Sequence, residues 1–295
     1  MRVRVNFPFL PQYRRIIPGW PTSLAPLKAL AMEIALLAGH LILYPVGFTQ
    51  ERGKQTDSLD LLAGSASAPG PRLLSRAAAQ AERTRLPVVL LHGFIDNRSG
   101  FVLLRRNLTR HGRRQIQSLN YSPLTCDVRI AAEDLARRIE EVCEQTRSEQ
   151  VDVVGHSLGG LIARYYVQRL GGDTRVRTLV TLGTPHAGTK VAPLANVHPI
   201  VRQMRPGSPV LEELQWPAPG CRTHFYAFWS DLDHVMDPLE AARIEHPDLS
   251  VRNVLVRGLG HLTMLVHPTV AAGIRLALDA THSEPTTGPD ALTAR

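Results

Sequence analysis

Gln150-Val151-Asp152-Val153-Val154-Gly155-His156-Ser157-Leu158-Gly159-Gly160-Leu161-Ile162-Ala163-Arg164-Tyr165-Tyr166-Val167-Gln168-Arg169-Leu170-Gly171 is the stretch that decides the fold. Val151, Val153 and Val154 are β-branched and read as a buried strand. Leu161, Ile162, Tyr165, Tyr166 and Leu170 repeat at helical spacing until Gly171 stops them. Between strand and helix, Gly155-His156-Ser157-Leu158-Gly159 fits G-x-S-x-G. A serine in such a turn takes a strained backbone conformation, and the residues two before and two after it must be small for the chain to pass itself. The strain lifts Oγ of Ser157 clear of the sheet. The following helix directs its free amides and positive dipole end at the same point, which favours negative charge developing there. The alternative is a glycine-rich turn with an incidental serine. Strand and helix flanks of the right type, with Gly160 as an additional small residue, favour a nucleophile.

Working outward, Leu86–Leu91 reads as a buried strand ending in His92-Gly93-Phe94, and residues 100–111 as a helix closed by Gly112. Gln115–Asn120 reads as a strand, Val128–Thr146 as a long amphipathic helix, and Val176–Leu182, Phe225–Trp229 and Val251–Val256 as further strands. Helices between successive strands imply parallel neighbours, hence an α/β, mostly parallel, doubly wound sheet of about six strands. Ligand chemistry then belongs at the carboxyl ends of the strands, where every motif named here falls.

A serine hydroxyl needs a base within hydrogen-bond reach and a third group to orient that base. In folds with this turn the chain order is serine, acid, histidine. The sequence has 12 histidines, and position removes most of them. His261 sits on the loop between the last strand and the closing helix and is the expected base. The acid should follow the strand ending near Ser230, where Asp231, Asp233 and Asp237 are available; Asp237, before Pro238, reads as a helix N-cap. Asp231 and Asp233 remain open on residue logic. The oxyanion hole needs two backbone amides, expected from Leu158 and Phe94. His92 reads as a residue shaping its turn, and His156 as packing away from Ser157.

His92-Gly93-Phe94, Gly155-His156-Ser157-Leu158-Gly159-Gly160, Gly183-Thr184-Pro185-His186-Ala187-Gly188 and Gly260-His261 together resemble a bacterial triacylglycerol lipase or esterase of the α/β-hydrolase superfamily, over about residues 86 to 280. The resemblance implies the α/β-hydrolase fold and a serine carboxylic-ester hydrolase with Ser157, Asp233 and His261 as its triad. The family's Asp-x-x-Val spacing matches best at Asp233. Valine stands at 235, not 236, so Asp231 remains the alternative. The substrate class implied is a lipid or small ester, with no cofactor and no metal. The same machinery serves thioesterases, acyltransferases and GPI-type deacylases, and a non-catalytic binding protein is the rival of a different class. Residues 189–220, with Val191, Leu194, Val197, Ile200, Val201, Met204, Val210, Leu211 and Leu214, read either as a lid over an acyl groove or as a helical insertion packed on the core.

Residues 1–72 form an N-terminal extension. It has an Arg- and Pro-rich start, an apolar helix over 29–48 interrupted by Glu33 and His40, and a linker from 49. Glu33 and His40 share one helical face. A cleaved signal, a spanning anchor and a packed or interfacial helix compete for 29–48, with the last favoured because a carboxylate in hydrocarbon is costly. If the segment spans, the arginines before it place the N-terminus inside. A possible membrane surface is therefore a partner, and the location is membrane-associated or extracellular, with the cytoplasm open. The catalytic domain is expected over 73–280, and 281–295 as a disordered polar tail.

Composition constrains the rest. A 295-residue chain, 44% apolar and 20% charged, has a sizeable core. Net charge is +8, but the arginines are scattered without an aromatic-interleaved stripe, which argues against nucleic acid. Cys126, Cys143 and Cys221 form no C-x-x-C pair; one bridge is open to them, but buried free thiols are favoured. Oligomeric state is not legible in the sequence.

Overall fold

The computed structural model describes residues 31–34, 36, 85–94, 98–119, 127–190, 198–280 and 291–292. Most of the N-terminal extension, including the linker at 49–72 and His40, lies outside them, as do residues 73–84 of the expected catalytic domain and Cys126. Cys143 and Cys221 are free thiols.

Among the described residues, seven strands form one sheet in the order β2-β1-β3-β4-β5-β6-β7. They are β1 Val88–Leu91, β2 Ile116–Leu119, β3 Val151–His156, β4 Val176–Leu182, β5 His224–Trp229, β6 Ser250–Val256 and β7 Ala291–Leu292. Every pairing is parallel. Both faces are covered, which explains why the strands read as apolar runs rather than as alternating patterns. Val89, Leu91, Val153, Leu179, Phe225 and Ala227 face one cluster, formed with α2 (Val128–Thr146) and α3 (Leu158–Arg169). Their neighbours Val88, Leu90, Val154, Val180 and Phe228 face the other, with α1 (Val102–Arg110) and the closing helix.

This is the parallel, doubly wound sheet that the sequence pattern predicts, and the bounds of α2 and β4 coincide with the expected ones. The difference is β7. Ala291 and Leu292 pair with Leu255 and Val256, inside the stretch expected to be disordered. Backbone pairing to an open sheet edge needs no side-chain pattern, so composition hides it.

The order of strands places the site. β2 and β3 lie on opposite sides of β1, so the chain leaving β1 and the chain leaving β3 depart in opposite directions. A crevice opens between their carboxyl ends, at the point where the winding reverses. The turn His92-Gly93-Phe94 and Ser157 both lie there.

The remaining helices are short except the last: α4 Pro199–Arg202, α5 Pro209–Glu213, α6 Thr263–Val266 and α7 Pro268–Asp279. Among the described residues, no helix is long and apolar enough to cross a membrane.

Candidate active site

Ser157 joins β3 to α3 with φ 51° and ψ −123°, a left-handed region closed to most side chains. The strain persists because its surroundings fix it. The Ser157 amide donates to the Leu182 carbonyl at 2.9 Å, and its own carbonyl accepts from the Gly160 amide at 3.1 Å. The glycines are required by contact. A Cβ at Gly155 would lie 2.5 Å from the Gly160 Cα, and one at Gly159 would meet the carbonyls of Leu91 and His92. The elbow therefore packs backbone to backbone against the end of β1.

That packing brings in the second turn. A Cβ at Gly93 would lie 3.2 Å from the Ser157 Cβ, so the His92–Phe94 turn rests on the nucleophile. His92 Nδ1 lies 2.8 Å from the Gly93 carbonyl, a local bond that shapes the turn. The Phe94 ring meets His198 edge-on, with centroids 4.8 Å apart.

His261 and Asp233 come from the loops after β6 and β5. The Ser230 hydroxyl donates to the Leu259 carbonyl at 2.6 Å and ties those loops together. Asp233 is 0% exposed and His261 8%. Nδ1 of His261 lies 2.9 Å from Oδ2 and 3.1 Å from Oδ1 of Asp233. An ionised carboxylate only accepts, so Nδ1 carries the proton and Nε2 presents its lone pair. Oδ1 of Asp233 also accepts from the Val235 amide at 3.0 Å, which fixes the carboxylate plane.

Asp231 has a different task. It accepts from the Gly258 amide at 2.7 Å and clasps the β6 loop from outside. Asp237 is not an N-cap: the turn Leu239–Ala242 is a 3-10 helix with Pro238 at the cap position and no side-chain cap bond. The proline sets the first dihedral there, and the cap position falls one residue later than the sequence suggests.

His156 packs as the sequence implies, with its ring centroid 4.6 Å from that of His261 and its Nε2 3.2 Å from the His261 carbonyl. Gly183, at φ 50°, lies under the dyad, where a Cβ would be 2.7 Å from Oδ2 of Asp233. The structure thus brings Asp233 and His261 together at the sheet edge that carries Ser157, with Phe94 and Leu158 flanking it.

Comparison with known proteins bears on the family and the fold. The sequence model of the palmitoyl protein thioesterase family matches residues 87–234. The chain belongs to that family. It therefore has the α/β-hydrolase fold, which the four ordered motifs anticipate. Residues 87–234 run from the start of β1 through the elbow to Asp233 and His234, so this family's match spans the elbow and the candidate acid but stops before His261.

Among curated relatives, a triacylglycerol lipase of Pseudarthrobacter phenanthrenivorans is 30% identical over 117 residues, 37% of this chain and 36% of its own. A triacylglycerol lipase of Vibrio cholerae serotype O1 is 31% identical over 141 residues, 45% of this chain and 41% of its own. The matches thus span well under half the length of these relatives. Among solved structures, lipase B of Aspergillus fumigatus superposes with a TM-score of 0.59 at 18% identity, covering 70% of this chain and 54% of that one. The mature lipase BlEst2 of Bacillus licheniformis gives 0.56 at 16%, covering 65% and 92%. At such identities the likeness shows the fold.

Sequence reasoning missed two features of the surroundings. Arg164, inside the quoted stretch, is 1% exposed, and burial, with Arg169 nearby, pushes its guanidinium down to about 9. Its nitrogens donate to Gln168 Oε1 at 2.6 Å and to the carbonyls of Leu214 and His186 at 3.0 and 3.4 Å. Burial, then Arg164, also holds the His186 imidazole well below its ordinary value. A cavity of about 610 Å3 opens beside them, lined by Glu212, Glu240, Arg243 and Glu245 among others. Neither Ser157 nor the Asp233–His261 pair lines it, and its charged rim does not suit an acyl chain.

Proposed function

We propose that this protein is a serine carboxylic-ester hydrolase that cleaves lipid acyl esters through an acyl-enzyme. The observation that carries the proposal is the buried Asp233–His261 hydrogen bond at the sheet edge where Ser157 sits in a strained elbow. Ser157 Oγ attacks the acyl carbonyl and His261 Nε2 takes its proton. Asp233 holds the imidazole in the tautomer that can do so and stabilises the imidazolium. The amides of Phe94 and Leu158 receive the oxyanion. The imidazolium returns the proton to the leaving alcohol, and a water activated by the same nitrogen releases the acid and frees Ser157.

The lipase names of the relatives support an acyl ester as substrate. A second reading, hydrolysis of an acyl thioester, has its own support in the family that the chain matches. The steps are the same with sulfur as the leaving atom, and the acyl half would occupy the same place.

Lipid esters gather at membranes, and residues 29–48 would bring the enzyme to such a surface. Met32 is 50% exposed and Ile34 57%, which suits a helix lying on an interface. A membrane-associated or extracellular location follows from this reading.

Hydrolysis of p-nitrophenyl esters from short to long acyl chains, beside the matching acyl thioesters, tests the proposal, with Ser157→Ala as the blank. Turnover rising with chain length and lost in the variant is expected. Oxygen-ester turnover far below thioester turnover would replace the ester reading with the thioesterase one. Turnover that persists in Ser157→Ala would remove the mechanism.

A further inference from the structure

The catalytic loop is held by a residue from the other end of the chain. Helix α6 begins at Thr263, two residues after His261, and its first amides have no partner within the helix. Its own cap residue is Leu262, whose side chain accepts nothing. The acceptor is Glu33. Its Oε2 accepts from the Leu262 amide at 2.9 Å, and its Oε1 from the Thr263 amide at 2.8 Å and the Thr263 hydroxyl at 2.6 Å. A carboxylate at a helix start also interacts favourably with the dipole. The sequence pattern turns Glu33 outward beside His40; the structure turns it onto the catalytic loop, while Met32 and Ile34 remain exposed.

Gly260 lies against the same side chain. It has no left-handed φ, so its backbone does not require glycine. Its small size leaves room for the carboxylate: a Cβ at 260 would lie 2.5 Å from the Glu33 Cγ, so the Glu33 side chain would have to shift. The glycine immediately before His261 is thus a seat for Glu33.

We propose that Glu33 is a positioning residue for His261, which makes the N-terminal helix a working part of the site. The proposal rests on the reading of His261 as the proton carrier. His261 is gripped at three points: the ring by Asp233, the carbonyl by His156, and the two following amides by Glu33. Removing the third lets the 260–263 turn shift, and displacement of a catalytic group by a fraction of an ångström lowers turnover without altering how substrate is held. Glu33 touches no reacting atom and acts through the turn.

The test uses the full chain with Glu33→Ala and the isosteric Glu33→Gln, which also serves if the alanine variant does not fold. On a p-nitrophenyl ester, Glu33→Ala should lose about 10-fold in kcat with KM unchanged. Glu33→Gln keeps one acceptor oxygen for Thr263 but turns an amide toward the Leu262 N–H, so it should recover part of the loss. Hydrogen exchange at Leu262 and Thr263 should quicken in Glu33→Ala while the melting temperature moves little. Faster exchange with unchanged kcat would overturn the positioning role, and unchanged exchange would overturn the contact itself. A native protein that does not turn over the ester would defeat the functional reading alone; exchange would then decide for or against Glu33.

Discussion

Ser157 sits in a conformation that is costly by about 1–3 kcal/mol in an unconstrained chain, and the close approach of Gly155, Gly159 and Gly160 to neighbouring atoms shows what over-determines it. The same principle separates the two aspartates. Asp233 is fully buried against Nδ1, whereas Asp231 accepts a loop amide, so their replacement by asparagine should have different results. Asp233→Asn admits the wrong imidazole tautomer and should lower kcat by about 10^2- to 10^4-fold. Asp231→Asn removes charge from one hydrogen bond and should cost only a few-fold. Steady-state kinetics of both variants decide it, and an equal loss at the two positions would refute the assignment. The elbow at Ser157 was legible in the sequence because it has local small-residue demands, and His261 stood out by its place between the last strand and the closing helix, where the structure sets it against Asp233. The acid was narrower than legible, since two carboxylates two residues apart on a loop carry no periodicity, and what separates them is burial and the partner each one finds in the fold. Glu33 was illegible for another reason: its partners lie 229 and 230 residues away, and its helical pattern described only its own face.

Elements were read most securely where both faces of a strand are buried or where an amphipathic helix runs long, as in β4 and α2. The insertion was harder, because the same apolar residues serve a lid or a packed layer. In the described part, Ile200, Val201, Met204, Val210, Leu211 and Leu214 join the core cluster that includes α2 and α3. Polar bonds sit on the same seam. Arg129 donates to Glu213 at 3.1 Å through Nε and again through Nη2, and the Tyr165 hydroxyl donates to Glu213 at 2.6 Å. No sequence pattern pairs Arg129 with a residue 84 positions on. The Arg129 hydrogen bond, aided by Tyr165, holds the Glu213 carboxyl below its ordinary value, against the opposing effect of burial. A depressed carboxyl pKa contributes stability that is complete above the unfolded value, about 4.3, and is lost as pH falls through the folded one. Glu213→Gln should therefore melt a few degrees below the native protein near neutral pH, consistent with about 1 kcal/mol for a partly exposed pair. That gap should close below about pH 4. Thermal melts of both proteins from pH 3 to 7 measure it, and a gap independent of pH would show that the carboxylate charge is not what pins α5 to α2 and α3.

Across the whole molecule, chemistry and stability occupy opposite ends of the sheet. Ser157 lies five residues beyond Asp152, just past the end of β3, about 16 Å away along the strand direction. Asp152 is 0% exposed and receives Arg113 Nη1 at 3.2 Å, Arg177 Nε at 3.0 Å and Arg177 Nη2 at 2.7 Å. Each arginine also donates to the Leu278 carbonyl at 2.8 Å, so one buried carboxylate joins β3, β4, the approach to β2 and the end of α7. Within the quoted stretch Asp152 is a lone charge in an apolar strand, and the sequence does not say which distant arginines neutralise it. Asp152→Asn keeps the size but removes the charge, leaving Arg113 buried with Asp279 as its remaining carboxylate. Breaking a buried ion network in this way costs about 3–5 kcal/mol, which for a domain of this size lowers the melting temperature by roughly 10 °C. Turnover per folded molecule at 25 °C should stay within about twofold, because no described residue at the carboxyl edge of the sheet hydrogen-bonds to the network. Ser157→Ala should do the reverse, abolishing turnover without lowering the melting temperature. Calorimetry and initial rates on the two variants test the division. A large loss of kcat in folded Asp152→Asn would mean that strain at one end of β3 is transmitted to the elbow at the other.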